Sequence, residues 1–141
     1  MSSIATAMRT AVDAALRADA GVVVAFNPSN VRLYPLAPPT NPTFPYVLYR
    51  VESIGDDTEC ADGDEVTVTL DVYAREGTYA ASVAKAEAIS HAIRKALNRR
   101  LTLSGHVIDD WTFDFDRPLG DPAELVEHRA VQLSYLTTAT A

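Results

Sequence analysis

Cysteine, long apolar runs and positive charge are what this chain has least of. Cys60 is the only cysteine among 141 residues, so an intrachain disulfide is impossible, and the further ligands that structural zinc requires at fixed spacing are missing. It reads as a bystander thiol in a loop. No apolar run approaches the roughly 20 residues of a bilayer-spanning helix. Met1-Ser2-Ser3-Ile4 also lacks the basic start and long apolar stretch of a signal peptide. The expectation is a soluble chain without an export signal of its own. Lys and Arg number 12 against 19 Asp and Glu, a formal net charge of −7. That balance argues against a protein that wraps nucleic acid by neutralising phosphates.

Catalytic chemistry is equally sparse. No G-x-S-x-G, H-E-x-x-H, Walker or dinucleotide fingerprint occurs. His91, His106 and His128 fall on separate elements without a serine or cysteine neighbour in a nucleophile motif. His91 follows Glu87 by one helical turn and reads as an exposed Glu–His pair, and His128 reads as a surface residue. Asp110, Asp114 and Asp116 could together offer oxygen ligands to a hard cation, but a ladder of solvated carboxylates is simpler. The acidic stretch from Asp56 to Asp64 fails the calcium-loop template in ligand spacing and in its closing glutamate. We therefore expect no catalytic residue, cofactor or metal site. Arg94, Lys95, Arg99 and Arg100 form one basic cluster, in the last turn of a helix, where cations oppose the negative end of the macrodipole. Tyr34, Phe44, Tyr46, Tyr49 and Trp111 lack the basic groove that single-stranded nucleic acid would need, and read as core or interface aromatics.

What the chain does have is a clear change of period. Val66, Val68, Leu70 and Val72 alternate with Thr67, Thr69, Asp71 and Tyr73; after Arg75-Glu76-Gly77-Thr78 the apolar positions Tyr79, Val83, Ala86, Ile89, Ile93 and Leu97 recur at helical spacing. A half-buried strand feeds a core-facing helix. Upstream, Ile4, Met8, Val12 and Leu16 mark an amphipathic helix over about Ser3 to Ala18, with Ser2 or Ser3 as its cap and Asp19-Ala20-Gly21 as a glycine stop. Val22 to Phe26 fits either a short strand or one more buried helical turn.

Six of the eight prolines lie between Asn27 and Pro45, which excludes a helix or central strand across most of that stretch. Val31 to Tyr34 can form a short edge strand there. Phe44 to Glu52 begins a strand that pairs with the Val66 strand as an antiparallel hairpin, joined by a long acidic loop. Val107 to Asp116 puts Trp111, Phe113 and Phe115 on one face and Asp110, Thr112, Asp114 and Asp116 on the other. Pro118 to Pro122 breaks the chain, and Glu127 to Thr137 closes it as a last strand. The reading is a single α+β domain over residues 1–141, ordered helix, loop, strand, strand, helix, strand, strand. A mainly antiparallel sheet of four to five strands packs against two helices, with a proline-rich loop at about 27–45 and an acidic hairpin loop at about 55–64.

Pro45-Tyr46-Val47, the run Thr67-Val68-Thr69-Leu70-Asp71-Val72-Tyr73-Ala74, the helix from Tyr79 and the closing Arg129-Ala130-Val131-Gln132-Leu133-Ser134-Tyr135 together resemble the tail terminator, or tail completion, family of long-tailed bacteriophages and gene transfer agents. The resemblance spans nearly the whole chain. It implies a structural virion protein that assembles as a ring, usually hexameric, on the head-proximal end of the tail tube, ends tube polymerisation and joins the tail to the head. Its partners would be further copies of itself, the major tail tube protein and a head–tail connector or stopper. DNA would pass through the channel without specific binding. No membrane is involved, and synthesis takes place in the host cytoplasm. On this reading an acidic chain suits a channel for DNA, because like charge prevents phosphate adhesion; Asp56, Asp57, Glu59 and Asp62 are the expected lumen-facing residues. Tyr34, Phe44 and Tyr46 are candidates for the subunit interface. Another neck protein, a stopper or adaptor, shares the same ring logic, and a small ligand-binding or enzymatic α+β domain is the remaining alternative.

Overall fold

The computed structural model describes residues 3–55, 63–120 and 122–140. Helix α1 runs Ile4–Ala18, and the Ser3 side chain caps it by accepting from the Thr6 amide at 3.1 Å. Its i+4 series Ile4, Met8, Val12 and Leu16 is buried. The expected glycine stop is not used: Asp19 leaves the helix in an extended conformation (φ −78°, ψ 120°) and caps a second helix, α2, Ala20–Phe26, by accepting from the Val22 amide at 3.0 Å. Gly21 sits inside α2, where a Cβ would come within 3.1 Å of the capping carboxylate; glycine leaves room for the cap rather than ending a helix. The ambiguous Val22 to Phe26 segment is thus helical, with Val22 and Phe26 buried.

Strand β1 (Leu33–Pro35) lies parallel to β2 (Tyr46–Gly55), which pairs antiparallel with β3 (Gly63–Arg75) as the expected hairpin. Helix α3 (Tyr79–Leu97) follows, capped by Thr78 onto the Ala81 amide at 3.1 Å. Strand β4 (His106–Pro118), a 3-10 turn at Pro122–Glu124 and strand β5 (Val126–Ala139) complete the chain. The sheet order is β1-β2-β3-β5-β4, antiparallel except at β1. The helices cover one face, and the core between them and the sheet includes Met8, Leu16, Phe26, Leu70, Ile89, Ile93, Leu133 and Tyr135. No helix of the described residues is long and apolar enough to cross a membrane.

Strand β4 departs from simple alternation. Its register against β5 slips between Ile108 and Asp110 and again between Phe113 and Phe115, and each extra residue inverts the faces that follow. Trp111 and Phe113 pack against the core from the helix side. Beyond the second slip Phe115 stands opposite Gln132 and Asp116 opposite buried Val131. Phe115 therefore lies on the open face and Asp116 on the helix face, the reverse of the sequence reading.

Candidate assembly surfaces

Three regions concentrate polar and aromatic side chains. The first is the helix side of β4 and β5, where the second slip in β4 brings Asp116 beside Arg129. The Arg129 Nε and Nη2 both donate to Asp116 Oδ1, at 3.1 and 3.0 Å, and the Ser90 hydroxyl donates to Oδ2 at 3.2 Å. Glu87 lies 3.8 Å from Arg129; its ion-pair partner among the described residues is this arginine, not His91. Because Asp116 is taken up here while Asp114 accepts from Gln132 (2.9 Å) and Ser134 (2.6 Å) on the open face, the candidate trio Asp110, Asp114 and Asp116 does not converge. No group of three metal-ligating side chains occurs among the described residues.

The basic end of α3 serves the same edge. Arg94 lies 3.9 Å above the Phe113 ring and Arg100 5.9 Å from that of Trp111, and Arg99 Nε donates to the Ala96 carbonyl at 2.9 Å. Two of these cations therefore roof aromatic rings and one satisfies a helix-end carbonyl.

The second region is an aromatic row on the open face. Tyr46 sits among Tyr34 (6.2 Å between ring centroids), Phe44 (5.2 Å) and Tyr73 (5.0 Å, stacked), and Tyr73 stacks in turn on His128 at 4.3 Å. His128 Nε2 is 2.8 Å from Asp71 Oδ1, and Arg50 is 3.7 Å from the other oxygen. His128 is thus half-enclosed rather than freely exposed. Tyr46 is only 7% exposed within a single copy, and Tyr34 and Phe44 flank it with surface still open. The cross-strand register Tyr46↔Tyr73↔His128 sets the row; each residue belongs to a different segment, so spacing along one strand gave no signal for it.

The third region is a groove of about 590 Å³ between α1 and the β1–β2 edge, lined by Thr6, Arg9, Asp13, Pro35, Leu36 and Tyr49. Tyr49 donates to Asp13 Oδ2 at 2.9 Å, and Asp13 also accepts from Arg17 at 2.7 Å. Burial, reinforced by the bond to Asp13, pushes the Tyr49 phenol up to about 12. Burial also raises Tyr46, Tyr73 and Tyr135, the last donating to the Leu97 carbonyl at 2.6 Å. A phenol that holds its proton more tightly when folded than when unfolded stabilises the fold below its unfolded pKa of about 10 and loses that contribution as pH rises through the folded value. Thermal melts should therefore show Tm falling between about pH 10 and 12, with a shallower fall in Tyr49→Phe; a flat Tm across that window would contradict the geometry.

The expected lumen residues Asp56, Asp57, Glu59 and Asp62 lie outside the described residues.

Residues 10–138 match the family model of the tail completion protein gp17. The chain belongs to that family. It is a structural protein of the tail and a component of the virion. In fold, this tail completion protein is similar to a chain in the virion of a native gene transfer agent particle, with a TM-score of 0.80 at 19% identity over 99% of this chain and 100% of that one. It is also similar to bacteriophage SPP1 gp17, with a TM-score of 0.55 at 16% identity over 96% and 91% of the two chains. No curated protein matches it in sequence.

Proposed function

We propose that copies of this chain close into a hexameric ring at the head-proximal end of the tail tube, where the ring ends tube polymerisation and presents the surface that receives the filled head. The observation that carries this is the sheet itself, which ends on two different strands, β1 and β4, at opposite sides. A contact between unlike edges is head-to-tail, and with the right rotation it closes, leaving no edge exposed to further pairing. Family membership and the likeness to a chain of a gene transfer agent virion support the same reading.

On this reading Tyr34 and Phe44, with Tyr46 behind them, belong to the subunit interface, and Asp56, Asp57, Glu59 and Asp62 line the channel so that DNA slides past like charge. The partners are the major tail tube protein below and a connector or stopper above. No residue is assigned to catalysis. Light scattering of the purified protein should give a discrete ring mass, and electron microscopy of tail tubes incubated with it should show one end capped and elongation stopped. A protein that stays monomeric and leaves tubes growing sinks the proposal; binding only to the portal side would make it a stopper instead.

A further inference from the structure

We infer that the acidic edge strand β4 of one copy docks against the arginine-lined edge formed by α1, β1 and the bare end of β2 in the next. This rests on the ring reading and names its contact.

Both edges are open. Apart from a bridge between His106 at its start and Leu103, β4 pairs among the described residues with β5, and β1 covers only Val47, Leu48 and Tyr49 of β2, so from Arg50 to Gly55 that side of β2 has no strand partner among the described residues. Rows of unpaired backbone groups on two edges of one molecule are templates for a further strand.

The edges carry opposite charge. Along α1 and residues 32–55 stand Arg9, Arg17, Arg32 and Arg50 against Asp13 and Glu52, whereas β4 holds Asp109, Asp110, Asp114 and Asp116 against Arg117. In a chain of net charge −7, an edge with excess arginine is not a by-product of composition. Much of this charge is also unspent. Asp109, Asp110 and Asp114 are exposed and have no cation within ion-pair distance among the described residues; their bonds are to Thr138, to the Trp111 amide, and to Gln132 and Ser134. On the other edge, the Arg32 side chain donates to the Pro45 carbonyl at 3.4 Å and has no carboxylate within ion-pair distance among the described residues, and the Arg50 side chain is 51% exposed and 3.7 Å from Asp71.

The faces agree as well. Arg50 stands opposite Thr69 on the open face of the sheet, and Asp110 and Asp114 lie on the open face of β4. A strand laid beside a strand continues both faces of a sheet, so these charges are brought together rather than placed on opposite sides. Apolar area accompanies them: Leu36 is 66% exposed at the groove, and Val107 and Leu119, 45% and 50% exposed, lie at the two ends of β4. The contact joins unlike surfaces, so every copy offers one of each and the ring consumes both.

The test reverses each edge separately, with Arg50→Glu as one variant and Asp110→Arg/Asp114→Arg as the other, both first shown to melt near the wild-type temperature. Alone, each variant opposes like charges at every junction and should associate at least about tenfold more weakly than wild type, by light scattering at low salt. Mixed in equal amounts they restore opposite charge at every junction, and rings of alternating variants should reappear. If wild type forms rings and both variants do so equally well, or if the mixture fails to recover them, this contact is wrong while the ring stands. If wild type forms no ring, the ring reading itself has failed and the contact falls with it.

Discussion

Leu133→Ala should destabilise the folded subunit by about 2–5 kcal/mol, the range for emptying a well-packed aliphatic site, which corresponds to a fall in Tm of order 10 °C for a domain of this size. Leu133 is fully buried on β5, the strand flanked by β3 and β4, opposite Val68 on one side and Phe113 on the other. It belongs to the same core cluster as Ile89 and Ile93 of α3. Three strands and a helix meet there, so the walls of the cavity are held by hydrogen-bonded ladders and cannot collapse inward. Close packing converts that rigidity into cost. Urea unfolding measures it, and a loss below about 1 kcal/mol would show that the site relaxes. The neighbouring Leu136→Ala, at a position 50% exposed on the other face of the same strand, serves as the control and should change little.

The dry face of β5 was legible in the sequence, because the period-two alternation of Val131, Leu133 and Tyr135 against Gln132 and Ser134 depends only on which side of a strand is dry. The same is true of Val66 to Val72 and of Ala86, Ile89, Ile93 and Leu97 in α3, whereas Tyr79 and Val83, expected on the same stripe, are only partly buried and Ser82 takes a buried place in the first turn. Two features were not legible, for different reasons. Val22 to Phe26 is too short for either period to separate, and its helical fate rests on the Asp19 cap. In β4 the alternation of the strand's own residues was regular, but its faces are decided by pairing with β5. The second slip in that pairing exchanges Phe115 and Asp116, and no residue within the strand announces it. The assembly surfaces followed a similar division. Tyr34, Phe44 and Tyr46 were visible as aromatics beside a proline-rich stretch, whereas Tyr73, His128 and Asp71 join them only through cross-strand register.

The exchange at the end of β4 has a measurable consequence, because two aspartates that look alike in sequence are held in opposite environments. Removing the partner of Asp116 by Arg129→Ala should cost about 3 kcal/mol, the low end of the range for breaking an enclosed ion pair. The two side chains are 14% and 16% exposed, and once the guanidinium is gone the carboxylate keeps only the Ser90 hydroxyl among its described donors. Asp114→Ala, by contrast, removes an exposed acceptor and should stay within about 0.5–1 kcal/mol of wild type. The loss in Arg129→Ala arises mainly from stranding a charge between α3 and the sheet, not from the intrinsic strength of the pair, because both ions have already given up much of their hydration. Replacing both partners with apolar residues of similar size, Arg129→Met with Asp116→Leu, should therefore recover most of the stability. Urea unfolding of the two single variants and the double variant separates the cases. Equal small losses in Arg129→Ala and Asp114→Ala would mean that Asp116 faces solvent and that the register of β4 is wrong; a double variant as weak as Arg129→Ala would mean that the pair contributes net stability rather than merely avoiding an unpaired charge.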